Sequence, residues 1–472
     1  MRYYSTRGKG EGVSFAAAAL TGLAPDGGLF VPEEIKRYAP AVLTSLGTMG
    51  FHDIAVESIR PFVEDDIPPT VLEDLVHGAF PFEAPLVAVG DRLVLELFHG
   101  PTAAFKDFGA RFMARAFAYL RRGEDRPLHI LVATSGDTGG AVADGFFGLE
   151  GIAVTVLYPK GRVSPLQEKQ IAGLGGNVSA LAVEGSFDDC QRLVKAAFSD
   201  EGLRKRLVLS SANSINVARL IPQTVYYAAA AGKVLGGHFD ADGEATPRIA
   251  HAIAHAIAHA AANAVRGIGS ISMKGPLTLC VPSGNFGNLT AGLYALKMGA
   301  PIRGFIAATN INKTVPDYLS SGIYEARSSL ATISNAMDVG APSNFERMTA
   351  HWPLEELRRM IKGIFISDDD TRRTMAAVYS GSGYFLDPHG AVAWAAADKL
   401  IAAGDLPGGP LAGPLAVLAT AHPAKFAEVV EPVAGPPPML PSLKKVQERK
   451  ASARTIPAEL SALIDALSIT AQ

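Results

Sequence analysis

The sequence predicts an α/β protein made of two doubly wound halves preceded by a less regular N-terminal extension. Three observations predict it. From Leu128 onward, short apolar runs alternate with amphipathic stretches of helical period, the pattern of a parallel sheet covered on both faces. The alternation runs twice, broken at Gly232–Gly275 by a stretch rich in Gly, Ala and His. Several apolar runs also end in Gly, Ser, Thr and Asn loops that open the next helix, where open α/β sheets bind ligands.

Residues 1–90, with GLAPDGGLFVPEE and proline-rich turns, form the extension. The smaller half, 91–231, takes LHILVA (128–133) as a buried strand and AVADGFFGL as its helix. IAVTVLYP (152–159), VSALAV (178–183) and LVLSS (207–211) are its further strands, separated by the helical PLQEKQIAGL and FDDCQRLVKAAF. Residues 232–275 read as an insertion or inter-domain segment. The larger half, 276–472, has strands at LTLCVPS (277–283), FIAAT (305–309), IFIS (364–367) and LAVLAT (415–420). The tail from Pro432, with GPPPML and then KKVQERK, reads as a linker and a solvated terminal helix.

At 472 residues the chain can bury a large core. Its 43 Lys plus Arg against 46 Asp plus Glu give no electrostatic case for nucleic acid, so anionic ligands must be held by local sites. Two cysteines, Cys190 and Cys280, stand far apart with no C-x-x-C, which argues against a disulfide framework or a zinc site. Both are expected as small buried apolar residues, in keeping with a reducing cytoplasm. The most apolar windows, such as Leu86–Phe98, are broken by Asp91, Arg92 and Glu96, so no membrane span is expected. MRYYSTRGKGEGVSF has charge and glycine where a signal peptide has its apolar core.

The chemistry starts at HGPTAAFKDFGARF, His99 to Phe112. Lys106 stands between a Gly-Pro turn and an amphipathic helix, among Ala103, Ala104, Phe105 and Phe108, with Asp107 the one charged neighbour. Apolar surroundings favour the neutral amine, the form that attacks a carbonyl cofactor. The alternative is a solvated lysine at a helix start. VPSGNFGNLTAG, Val281 to Gly292, follows a strand and opens a helix, so its amides and helix dipole suit a phosphate. Ser283, Asn285 and Asn288 can add donors, and Gly284 and Gly287 permit close approach beside Phe286. It matches neither a Walker A nor a Rossmann pattern and can also be an ordinary turn.

ATSGDTGGAV, Ala133 to Val142, offers the hydroxyls of Thr134, Ser135 and Thr138 beside a helix start, which suits a substrate carboxylate; Asp137 is either a cap or a partner for a cofactor donor. SANSINVARL places Ser214 and Arg219 as a second anion site, or as a cap and a surface arginine. LATAHPAKF ends a strand in Thr420, with His422 expected as a hydrogen-bonded turn residue. MDVGAPSNFERM (337–348) and LDPHGAVAW (386–394) are punctuated polar segments without an assigned role.

With these loops in this order, the chain resembles the threonine synthases, pyridoxal-phosphate enzymes of the tryptophan-synthase-β-like fold. The resemblance runs from YYSTRG to about residue 430 through GLAPDGGLFVP, HGPTAAFKD, TSGDTGGA, NSINVARLIPQTVYY, SGNFGN, MDVGAPSNFER, LDPHGAVA and TAHPAKF. It implies a pyridoxal 5'-phosphate cofactor in the cleft between the two α/β domains, bound covalently by Lys106 and by the Ser283–Asn288 loop through its phosphate. It also implies Asp137 near the cofactor's 3-hydroxyl, Thr420 facing the pyridine nitrogen, and the substrate carboxylate on Thr134–Thr138. Ser214 and Arg219 are implied for the phosphate of O-phospho-L-homoserine, which with water gives L-threonine and phosphate. A cytoplasmic monomer or homodimer, with neither nucleic acid nor membrane as partner, is the expectation.

The chain departs from the family pattern in Gly232–Gly275, where His251, His255 and His259 share one helical face. That spacing suits a metal stripe, but no carboxylate or cysteine joins it, and an alanine-rich surface helix is the expected reading. The competing functions are a phospholyase of the same family, acting on O-phosphohomoserine or O-phosphothreonine and releasing 2-oxobutyrate, and a catalytically silent scaffold.

Overall fold

The computed structural model describes residues 1–8, 10–237, 275–407 and 413–470. The expected His251, His255 and His259 stripe lies outside them. Thirteen strands occur among the described residues: β1 (Tyr3–Ser5), β2 (Phe30–Pro32), β3 (Leu86–Val89), β4 (Arg92–Glu96), β5 (Leu128–Ala133), β6 (Ile152–Pro159), β7 (Val178–Glu184), β8 (Val208–Ser211), β9 (Leu277–Pro282), β10 (Ile302–Thr309), β11 (Ile361–Phe365), β12 (Leu415–Ala419) and β13 (Arg454–Pro457).

Two sheets carry the fold. One has the order β13-β7-β6-β5-β8 and is parallel throughout. The other has the order β11-β10-β9-β12-β4-β3, parallel except for the β3–β4 hairpin. The central strands β5, β9 and β12 are buried along their whole length, which is why they read as apolar runs interrupted only by His129 and Thr278.

Two segments lie elsewhere than the sequence reading placed them. β4, unread as a strand and falling within the 91–231 assigned to the smaller half, pairs with β12 in the larger sheet. The tail, read from Pro432 as a linker and a solvated helix at KKVQERK, forms the helix Pro441–Gln447 with Lys444 and Lys445 exposed but Leu443 and Val446 buried; beyond it the chain returns to the smaller sheet, where β13 pairs with β7 and the helix Leu460–Thr470 buries Leu463 and Leu467 against Leu193 and Val194. The leucines of that helix need cover, and the outer face beside β7 supplies it.

The N-terminal extension is integral to the core. Tyr3 is fully buried and donates its hydroxyl to the Phe62 carbonyl at 2.7 Å, inside a cluster that continues through Phe108, Tyr226 and Tyr294. Cys190 and Cys280 are both buried and free. No helix among the described residues is long and apolar enough to cross a membrane. None of their His, Cys, Asp and Glu side chains gather in threes to hold a metal ion.

Candidate active site

Five strands, β4, β5, β8, β9 and β12, each send the loop at their carboxyl end to one cleft between the two sheets. Its volume is about 910 Å³. Lys106, Thr134, Ser135, Asp137, Thr138, Ser214, Arg219, Gly284, Asn285, Phe286, Gly287, Asn288 and Thr420 all line it. Ser283 does not; it is buried behind the loop.

Lys106 opens the helix Lys106–Leu120. The turn before it is fastened to the loop after β12: the amide of Phe105 donates to the Thr420 carbonyl at 2.8 Å, and that of His422 to the Ala103 carbonyl at 3.0 Å. Ala103 holds a left-handed φ of 54°, which for a residue with a Cβ costs about 1–2 kcal/mol and persists only where its surroundings impose it. Asp107 accepts from the amide and the hydroxyl of Thr102 at 2.9 and 2.6 Å, closing the Gly-Pro-Thr turn. Burial lowers the Lys106 pKa to about 8; Asp137 opposes the shift, and the cations Arg219 and Lys425 add to it.

The loop after β9 is built to present backbone rather than side chains. Asn288 spends its amide on the Pro282 carbonyl and its oxygen on Ser283 Oγ and the Leu289 amide, all at 2.9 Å. Asn285 donates to Ser214 Oγ and accepts from the Ser343 amide. Ser283, Asn285 and Asn288, expected to add side-chain donors for a ligand, thus also hold the loop in shape. The backbone amides of Gly284 through Asn288 find no acceptor among the described residues, and Phe286 turns the chain with a φ of 57°. At Gly284 a Cβ would lie 2.7 Å from Met337 Cα, so only glycine fits there.

In the loop after β5, Thr134 Oγ1 accepts from the amides of Gly136 and Gly139 at 2.9 and 2.8 Å. Thr134 thus shapes the helix start. The donors there without an acceptor among the described residues are the amides of Ser135, Asp137 and Thr138 and the hydroxyls of Ser135 and Thr138. The set suits a carboxylate.

Arg219 is fully buried beside the cleft. Among the described residues its guanidinium makes one hydrogen bond, from Nη1 to the Ala212 carbonyl at 2.7 Å, and Nε has no partner. Burial lowers its pKa to about 10, with Asp107 opposing, so it stays charged near neutrality. Asn213 Oδ1 and Asn335 Oδ1, on two further cleft residues, are also buried without partners. Orphaned buried groups cost about 1–3 kcal/mol each unless a ligand satisfies them. Three on one cleft mark a binding site.

Three groups were missed from the sequence. Lys425, fully buried in the turn after β12, donates to Asp137 Oδ1 at 2.6 Å and to the Thr102 carbonyl at 2.9 Å. Gln167 donates to the same Asp137 oxygen at 2.9 Å. Burial alone would raise the Asp137 pKa, but Lys425 and Lys106 hold it below the usual carboxylate range. The third is His389, whose Nδ1 meets Asp387 at 2.6 Å while Nε2 accepts the Ala336 amide at 3.3 Å, bracing the turn that packs on Gly284. A lysine in the apolar PAKF was the one signal for Lys425. His422 caps its own turn by accepting the Ala424 amide, and burial lowers its pKa to about 4. MDVGAPSNFERM also gains a role: Asn344 donates to the Ser214 carbonyl at 3.2 Å, and buried Arg347 donates to the carbonyls of Phe30 and Ile215.

The residues fit a pyridoxal phosphate: a lysine with a lowered pKa and five acceptor-free amides face one cleft. Comparisons with known proteins agree. Residues 2–80 match the family model for the threonine synthase N terminus, 88–417 that for pyridoxal-phosphate-dependent enzymes, and 390–466 that for the threonine synthase C-terminal region. The chain is 39% identical to the threonine synthase of Escherichia coli K12 over 98% of each chain, and 34% identical to that of Saccharomyces cerevisiae over 91% of this chain and 88% of that one. The crystal structure of the E. coli threonine synthase superposes with a TM-score of 0.83 at 38% identity, covering 99% of this chain and 100% of the other. That of the PLP-bound threonine synthase of Brucella melitensis gives 0.84 at 34% identity, with both chains fully covered.

Proposed function

The chain belongs to the threonine synthase family of pyridoxal-phosphate-dependent lyases, and from that premise we propose that its cleft turns O-phospho-L-homoserine and water into L-threonine and phosphate. One observation carries the reading: Lys106, with its lowered pKa, faces the acceptor-free amides of Gly284–Asn288 across one cleft.

Lys106 would hold the cofactor covalently, the five amides its phosphate, and Thr420 its ring nitrogen. When bound, the cofactor supplies an electron sink for carbanions at the substrate, which makes loss of the α- and β-protons and expulsion of the γ-phosphate accessible. Thr420 is a neutral hydroxyl, so it does not favour a permanently protonated ring nitrogen.

The protein's own part is to bind, orient and move protons. The amides of Ser135, Asp137 and Thr138, with two hydroxyls, receive the substrate carboxylate. Arg219, a buried cation without an anionic partner among the described residues, receives the substrate phosphate and stabilises it as it leaves, with Ser214 lining the same cleft. The Lys106 amine takes the α-proton and carries protons onward, a task for which a pKa of about 8 leaves both forms accessible. Delivering water to the β-carbon before the substrate escapes would require a closed site that keeps hold of the carboxylate.

The test is chiral amino-acid analysis beside a 2-oxobutyrate assay on one reaction of the holoenzyme with O-phospho-L-homoserine. Threonine and phosphate in near-equal amounts are expected. A product dominated by 2-oxobutyrate assigns the cleft to a phospholyase instead.

A further inference from the structure

The cleft contains a buried ion pair that the roles above leave unused. Lys425 follows β12 of the larger sheet; Asp137 follows β5 of the smaller one. The lysine crosses between them with its side chain fully buried, bonding Asp137 Oδ1 at 2.6 Å and the Thr102 carbonyl at 2.9 Å. Thr102 is the residue whose amide and hydroxyl Asp107 grips, four positions before Lys106. One ammonium thus ties together the turn that presents Lys106 and the loop assigned to the substrate carboxylate.

Stability is a poor reason for such a pair. Taking both charges out of water costs several kcal/mol, and well-packed apolar residues in their place are often neutral or stabilising. The geometry suggests another reason. Lys425 and Gln167 both donate to Oδ1, whereas Oδ2 has no protein partner among the described residues, although Asp137 lines the cleft. Two donors on one oxygen fix the carboxylate's rotation and leave the second oxygen as a single free acceptor.

We propose that Lys425 is a positioning residue that clamps Asp137 by Oδ1 from the opposite sheet, so that Oδ2 serves as a fixed anionic acceptor for the bound cofactor. The proposal rests on the pyridoxal-phosphate reading of the cleft. It assigns Lys425 a second effect: as the larger of the two cationic influences on Asp137, its ammonium keeps that carboxylate ionised whichever protonation state Lys106 adopts. The charged groups facing the pair are Lys106 and Asp107 on the helix Lys106–Leu120 and Arg219 on the helix Val217–Leu220. Gln167 and His422 are its polar neighbours.

The experiment compares Lys425→Met, Lys425→Arg, Asp137→Asn and the double variant Lys425→Met/Asp137→Asn, each loaded with pyridoxal phosphate. Bound cofactor per chain, the midpoint of the chromophore's pH titration, kcat and KM are measured. Lys425→Met is expected to keep its cofactor, to move the titration midpoint by about one pH unit or more, and to lower kcat about tenfold or more with little change in KM. Lys425→Arg should recover part of both losses. In the Asp137→Asn background, Lys425→Met should add little, because its target is gone. An unmoved midpoint in Lys425→Met, or a loss equally large in both backgrounds, overturns the proposal. Should Lys425→Met fail to fold, Lys425→Arg and Asp137→Asn decide by the same midpoint. A parent protein with no bound-cofactor absorption overturns the cleft reading itself, a distinct result.

Discussion

Asn285 donates its side-chain amide to Ser214 Oγ at 2.6 Å, joining the loop after β9 to the loop after β8. The bond makes the acceptor-free amides of Gly284–Asn288 part of a braced frame, because Asn344 also holds the Ser214 carbonyl. Asn285→Ala removes this bond and the one from the Ser343 amide. At about 1 kcal/mol for each, pyridoxal phosphate should bind roughly tenfold or more weakly without losing its covalent attachment. Equilibrium dialysis against the cofactor measures this, and Ser214→Ala should produce a smaller change in the same direction.

Lys106→Ala should abolish turnover and the absorption of the covalently bound cofactor. Borohydride reduction of the parent followed by peptide mapping should label Lys106. Labelling of Lys425, the buried lysine that bonds Asp137, would contradict the assignment.

Arg219→Ala should weaken O-phospho-L-homoserine. Losing a charge-assisted contact of about 1.5–3 kcal/mol corresponds to roughly a ten- to hundredfold rise in its dissociation constant. Cofactor content should stay at the parent level, since the amides after β9 belong to another loop. Loss of the cofactor band in this variant would move Arg219 to the cofactor's phosphate.

The pKa of Lys106 makes cofactor capture pH-dependent in a defined direction. Only the neutral amine attacks the carbonyl, and burial brings its pKa from 10.5 down to about 8. The second-order rate of pyridoxal-phosphate capture by the apoenzyme should therefore climb as pH rises toward 8 and level off above it. Stopped-flow absorbance measures the profile, and a rise continuing to pH 10 would show an unperturbed lysine.

What the sequence made legible follows from where the information sits. β5, β6, β9 and β12 are apolar because they are covered on both faces, a local property, and their residues could be read directly. β4 was hidden because it begins with Arg92, whose burial depends on Trp394, 4.3 Å from its guanidinium carbon, and on Asp398 at 2.7 Å, both far along the chain. β13 begins with Arg454 and covers an edge, so it carries no apolar run. In the site, the loops could be found from their Gly, Ser and Thr content. The division of labour within them could not: that the Asn288 side chain braces while its backbone amide stays free, or that Lys425 reaches Asp137, depends on partners brought close only by the two sheets.

The returning tail gives a stability test far from the chemistry. Leu463, on the helix Leu460–Thr470, is fully buried in a cluster with Leu193, Val194 and Ile456 against β7. Leu463→Ala removes three buried heavy atoms and leaves a space that surrounding side chains fill only in part, at a cost of about 2–5 kcal/mol. A solvated terminal helix would give a change within about 0.5 kcal/mol, the range for exposed positions. Urea denaturation of the parent and the variant, followed by circular dichroism, separates the two. Since the helix packs on the sheet carrying Asp137 but does not line the cleft, kcat and KM at low temperature should match the parent's, while the denaturation midpoint falls.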